Sequence, residues 1–204
     1  FMIEFTGSPD SGKTTCINSV DDFLRRSGFR VMRPQEGAEA VREVPRDSPR
    51  YNIATGIYAL DIIIKAMYDR NHDIVLLDRG LHDAHAWMLY WQYKNQLTEA
   101  ERQMFQSFFA HSLHRSAIDT CFYFFCGVDE INRREREGIA TDYQPAGQGS
   151  FTTPEAIQLL DTVFRASFGN FALDGTTVSL DTTKLSKSEM FNRVYAVVLG
   201  HMDR

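Results

Sequence analysis

Apolar residues in this chain fall into short uninterrupted runs that alternate with longer stretches of helical period. Met2–Phe5 is the first run and ends in a Gly-containing turn. From Lys13 to Arg26, Ile17, Val20, Phe23 and Leu24 recur on one side of a helix. Phe29–Met32 predicts a second strand, closed by Pro34. Asn52–Tyr68 carries Ile53, Ile57, Leu60, Ile64 and Met67, the stripe of an amphipathic helix. Ile74–Leu77 is wholly aliphatic, as in a strand covered on both faces. Helical spacing returns over Asp83–Tyr93. Thr98 with Glu101 is a capping-box pattern, opening a helix that continues through Phe105, Phe108 and Phe109. Cys121–Cys126 is the strongest strand signal, followed by a charged helix over Val128–Gly138 and a polar, Gly-rich stretch, Ile139–Thr152. Thr153-Pro154 starts a further helix, Val178–Leu180 forms a last strand, and Ser186 with Glu189 opens the C-terminal helix. Strand, loop and helix thus repeat about five times, which predicts an α/β fold with a parallel five-stranded sheet flanked by helices. No repeat or linker divides the chain, so the expectation is a single domain over 1–204.

Composition narrows the function only a little. Among 204 residues, 22 Lys and Arg face 27 Asp and Glu, a net charge of −5 that disfavours a dedicated duplex-DNA binder. No apolar run approaches the ~18 residues of a membrane-spanning helix. The first residues lack the basic flank and apolar stretch of a secretory signal, and three Cys without a CxxC suit a reducing compartment, so a cytoplasmic protein is expected.

The chemistry begins at Gly7-Ser8-Pro9-Asp10-Ser11-Gly12-Lys13-Thr14-Thr15, which fits G-x-x-x-x-G-K-[ST] between a predicted strand and a predicted helix. Glycines let backbone wrap a phosphate, and inward N–H groups with the helix's positive end bind it. Lys13 would reach the β/γ oxygens and Thr14 would ligate Mg²⁺. Beyond the third strand, Asp78 faces the same crevice and is a second candidate for Mg²⁺, with Arg79 toward the transferred group or acceptor. Glu36, the first carboxylate past the second strand, is the candidate base; Glu39 and Glu43 compete. Arg133, Arg134 and Arg136 precede the polar stretch and together suggest a mobile Arg-rich lid over 133–152. Arg42, Arg46 and Arg50 are candidates to hold a substrate phosphate, and Tyr51, Tyr58, Trp87 and Tyr90 to stack on a base. His82/His85 and His111/His114 are spaced i, i+3, but no Cys or carboxylate set completes a tetrahedral metal site.

This order of parts resembles the P-loop nucleoside and nucleotide kinases, with thymidylate kinase and the deoxynucleoside kinases most similar: phosphate loop, Glu after the second strand, Asp-Arg after the third, Arg-rich segment after the fourth, Leu180-Asp181-Thr182-Thr183 after the last. The resemblance implies ATP as donor, with Gly7 to Thr15 on its phosphates and Mg²⁺. It implies Arg133 or Arg134 beside adenine, Arg136 near the transferred group, and Thr182 and Thr183 near the adenine edge. The acceptor is then a nucleoside, a nucleoside monophosphate or a related nucleobase-containing molecule, with Glu36, Arg42, Arg46, Tyr58, Arg79 and Trp87 around it. Kinases of the resembling families often pair through helices, which makes the Phe105–Phe109 face either core or a homodimer surface. The rival readings are a kinase acting on a modified base in DNA, less favoured, and a regulatory ATPase without an acceptor. The lack of an Asn/Thr-Lys-x-Asp segment, with Thr183-Lys184 followed by Leu185-Ser186, argues against GTP but not against an ATPase.

Overall fold

The computed structural model describes residues 1–139, 151, 153–171 and 176–202, without the side chains of 135–139. Five strands form one parallel sheet: β1 (Met2–Gly7), β2 (Val31–Met32), β3 (Ile74–Asp78), β4 (Thr120–Phe125) and β5 (Thr177–Asp181), in the order β2-β3-β1-β4-β5. β1 lies at the centre, with Phe5 opposite Asp78 on β3 and Glu4 opposite Cys121 on β4. The helices are α1 (Lys13–Arg26), α2 (Gly37–Ala40), α3 (Pro49–Tyr68), α4 (Leu81–Tyr93), α5 (Glu99–Phe109), α6 (Ser112–Arg115), α7 (Val128–Ile139), α8 (Pro154–Phe171) and α9 (Lys187–Met202).

Period-two alternation sorts the strands' side chains to two cores. Ile3, Phe5, Leu76, Phe122 and Phe124 pack under α1 and α9 against Ile17, Val20, Leu24, Val194 and Val198. Val75, Leu77, Tyr123 and Phe125 face the other way, against α3, α4, α5 and α8. α4 is apolar nearly all round because it is enclosed; Leu81, Ala86, Met88, Tyr90 and Trp91 are all buried. Of the Phe face on α5, Phe109 is buried and Phe108 is 43% exposed.

Some boundaries differ from the pattern-based expectation. The second strand is two residues, not four, because Phe29 N–H turns back to the Leu24 carbonyl and Arg30 is held by Asp73. The long helix starts at Pro49 rather than Asn52, since the Ser48 side chain caps Arg50 N–H and Pro49 suits the first turn. Pro49 and Arg50 therefore belong to this helix, and α2 and α6 are short helices without a counterpart in the pattern. Both capping boxes form, Thr98 with Glu101 and Ser186 with Glu189. The side chain of Arg136, and residues 140–150 and 152 of the predicted lid, lie outside the described residues. Among the described residues no helix is long and apolar enough to cross a membrane.

Candidate active site

The loop between β1 and α1 has the shape its glycines predict. Gly7 has φ +125°, and a Cβ there would lie 2.0 Å from the Phe124 carbonyl oxygen. Gly12 has φ +95° and forms the cap of α1. Ser8 N–H donates to Phe124 O at 3.0 Å, tying the loop to β4. Lys13 folds under the loop, its Nζ 3.1 Å from Gly7 O and 2.5 Å from Ser8 O. Burial first, then Arg79, pulls its pKa down to about 7, against the opposing pull of Asp78, Asp83 and Asp10. Thr14 and Thr15 are exposed at the start of α1 and line, with Pro9, Asp10, Lys13 and Asp78, a cavity of about 940 Å³.

Arg134 and Thr182 brace this loop from outside. Arg134 donates to Asp10 O (3.2 Å) and Thr182 O (2.7 Å), and the Thr182 hydroxyl donates to Ser11 O (2.8 Å). Arg133 pairs with Glu130 at 2.7 Å and lines the same cavity. Thr182 is buried, Thr183 caps Gly127 N–H, and neither lines the cavity.

A second cavity, about 600 Å³, opens beside it. Its walls include Tyr51, Asn52, Thr55, Tyr58, Trp87 and Phe151, an apolar slot with a few polar groups, of a size that suits a small organic ligand. The two cavities share Pro9, Glu36, Arg46, Asp78 and Arg79. At this junction Arg79, with φ +66°, sends Nε to Glu36 Oε1 (3.2 Å) and Nη1 to Asp83 Oδ1 (2.8 Å). Burial raises the Glu36 and Asp83 carboxyls above their ordinary range, and Arg79 opposes the rise in both.

Most of the sequence-derived candidates thus meet at two adjoining cavities. Arg42 and Arg50 are exceptions: both are exposed, Arg42 donates to Glu39 O, and neither lines a cavity. Tyr90 lies in the core. Sequence reasoning missed Asp83, whose signal was its i+4 spacing from Arg79, and Asn52, whose Oδ1 accepts Trp91 Nε1–H at 2.8 Å. It also missed a buried group formed by Glu4, His82 and Cys121, whose donor atoms lie within 4.8 Å of one another.

No family model and no curated protein matches this sequence. Solved structures match its fold. Deoxyadenosine kinase from M. mycoides with bound dCTP is 12% identical, with a TM-score of 0.64 over 98% of this chain and 100% of that one. The same enzyme with bound dATP is 15% identical, with a TM-score of 0.64 over 97% and 99%. Thymidylate kinase from Candida albicans is 12% identical, with a TM-score of 0.67 over 98% and 92%. The fold is therefore the one seen in these deoxyadenosine kinase and thymidylate kinase structures.

Proposed function

We propose that residues 1–204 act as one kinase domain that moves the γ-phosphoryl group of ATP to a nucleoside, a nucleoside monophosphate or a related nucleobase-containing acceptor. The observation that carries this reading is the shared wall. A cavity on the phosphate loop and a cavity with aromatic sides meet at Glu36, Arg46, Asp78 and Arg79. A donor tail and an acceptor bound on either side of that wall are held for direct transfer, where positioning supplies much of the rate. The deoxyadenosine and thymidylate kinases of like fold support the same assignment.

The donor set fits a magnesium triphosphate. Gly12 keeps the loop free of a side chain beside the cavity, Lys13 supplies a cation, and Thr14 and Asp78 offer the hard oxygens Mg²⁺ takes. When bound, Mg²⁺ would screen charge on the phosphate oxygens; Thr14 and Asp78 would hold it. Lys13 neutralises the β/γ oxygens, and Arg46 and Arg79 stabilise charge on the group in flight. Glu36, its carboxyl raised by burial, takes the proton from an acceptor hydroxyl. That oxygen forms its bond to the γ-phosphorus as the bond to ADP breaks, and ADP leaves with the electron pair. Trp87, Tyr51, Tyr58 and Phe151 wall the base.

The test is ADP release measured with a panel of nucleosides and nucleoside monophosphates. Stimulation by at least one acceptor, lost in Lys13→Ala, is the expected result. ATP turnover indifferent to every acceptor would overturn the assignment and favour a regulatory ATPase.

A further inference from the structure

Glu4 sits in the central strand with no solvent exposure. A carboxyl group buried this deeply is costly unless polar partners surround it. Three do. Oε1 accepts His82 N–H at 3.0 Å and Asp83 N–H at 3.1 Å, and Oε2 lies 2.8 Å from His82 Nδ1. The two backbone donors belong to the first turn of α4, whose cap residue, Gly80, has no side chain to serve them. Glu4 therefore caps α4 from a neighbouring strand. It also dictates the glycine, since a Cβ on Gly80 would lie 2.7 Å from Glu4 Cδ.

The braced turn carries the junction between the two cavities. Asp83, gripped by its backbone N–H, holds Arg79 through Oδ1, and Arg79 holds Glu36. Arg79 sits in the left-handed region, a strained conformation for a side-chain-bearing residue that persists only where its surroundings fix it. We infer that Glu4 is a positioning residue: as acceptor for the start of α4 it sets Asp83, and through Asp83 it aims Arg79 at Glu36 and the transferred group. Glu4 lines neither cavity, so it acts through these residues and touches no substrate. The consequence for turnover rests on the kinase reading above; the consequence for Arg79 does not.

The experiment compares Glu4→Met, which removes the acceptor, with Glu4→Gln, which keeps one oxygen for the two N–H groups. Circular dichroism first establishes which variants fold; should Glu4→Met not fold, Glu4→Asp, which withdraws the carboxylate by one methylene, takes its place. The expected result is a kcat about tenfold lower or worse in Glu4→Met, with both KM values within about threefold, and recovery in Glu4→Gln to within about threefold of the parent. Combined with Arg79→Lys, Glu4→Met should cost little beyond Arg79→Lys alone, because both act on one unit. Unchanged kcat, no recovery in Glu4→Gln, or losses that multiply in the double variant would each overturn the inference. Hydrogen exchange at Arg79 Nε–H, assigned by its loss in Arg79→Lys, gives a reading without turnover. Protection in the parent chain and its loss in Glu4→Met is expected; protection retained in Glu4→Met would overturn the inference even if no acceptor is ever phosphorylated.

Discussion

Lys13 shows how one side chain's burial becomes a property of ligand binding. With its pKa lowered from 10.5 to about 7, the folded chain above pH 7 lacks a proton that the unfolded chain carries. Ligand-free stability therefore rises with pH between about 7 and 10.5 at this residue, and the rise should vanish in Lys13→Met. A triphosphate beside Lys13 restores the charged form. ATP binding at pH 8 should then take up protons, seen by calorimetry in buffers of different ionisation enthalpy, and Lys13→Met should lose that uptake. Glu36 works with the opposite polarity. Its carboxyl is raised, so kcat/KM should fall as pH drops through a value above the ordinary carboxylate range. Glu36→Gln should remove that acid limb, lower kcat by about 10²-fold or more, and leave ATP affinity nearly intact. Glu36, Asp78 and Arg79 were legible from the sequence because strand ends in a parallel sheet converge on one crevice. Asp83 offered only its i+4 spacing from Arg79, and Glu4 offered nothing, because its partner, the start of α4, is fixed by tertiary packing.

Among the elements, side-chain caps mark three helix starts in the sequence. Thr98, Thr153 and Ser186 announce their helices through caps, and each cap forms. β2 shrinks because Phe29 N–H bonds to Leu24 O and Arg30 N–H to Asp73 after a turn with Gly28 at φ +91°. Packing is close around α4, which α3 and α5 both approach. Gly56 on α3 marks that closeness, since a Cβ there would lie 2.6 Å from Phe109 Cε1 and 2.8 Å from Ala84 Cβ. Gly56→Ala should cost about 1–3 kcal/mol and lower Tm by roughly 2–10 °C, with a smaller effect on ATP affinity. A thermal melt beside an ATP titration checks both.

For the whole molecule, alternation of strand and helix sufficed to predict a parallel five-stranded sheet, but not its order. Placing β1 between β3 and β4 depends on crossovers that no local pattern encodes. That order matters, because it sets the end of β1 beside the end of β3, so that Pro9 and Asp78 line both cavities. A non-hydrolysable ATP analogue with Mg²⁺ at about 100 times its Kd should stabilise the fold by about 2.7 kcal/mol, raising Tm by roughly 5–10 °C. A bound acceptor should add to the shift, because its cavity is separate. Direct transfer across the wall that the two cavities share can be followed with γ-³²P-labelled ATP, Mg²⁺ and the acceptor panel. Label should appear covalently attached to an acceptor, in step with ADP and absent with Lys13→Ala. Label found solely as inorganic phosphate, at a rate no acceptor alters, would contradict it.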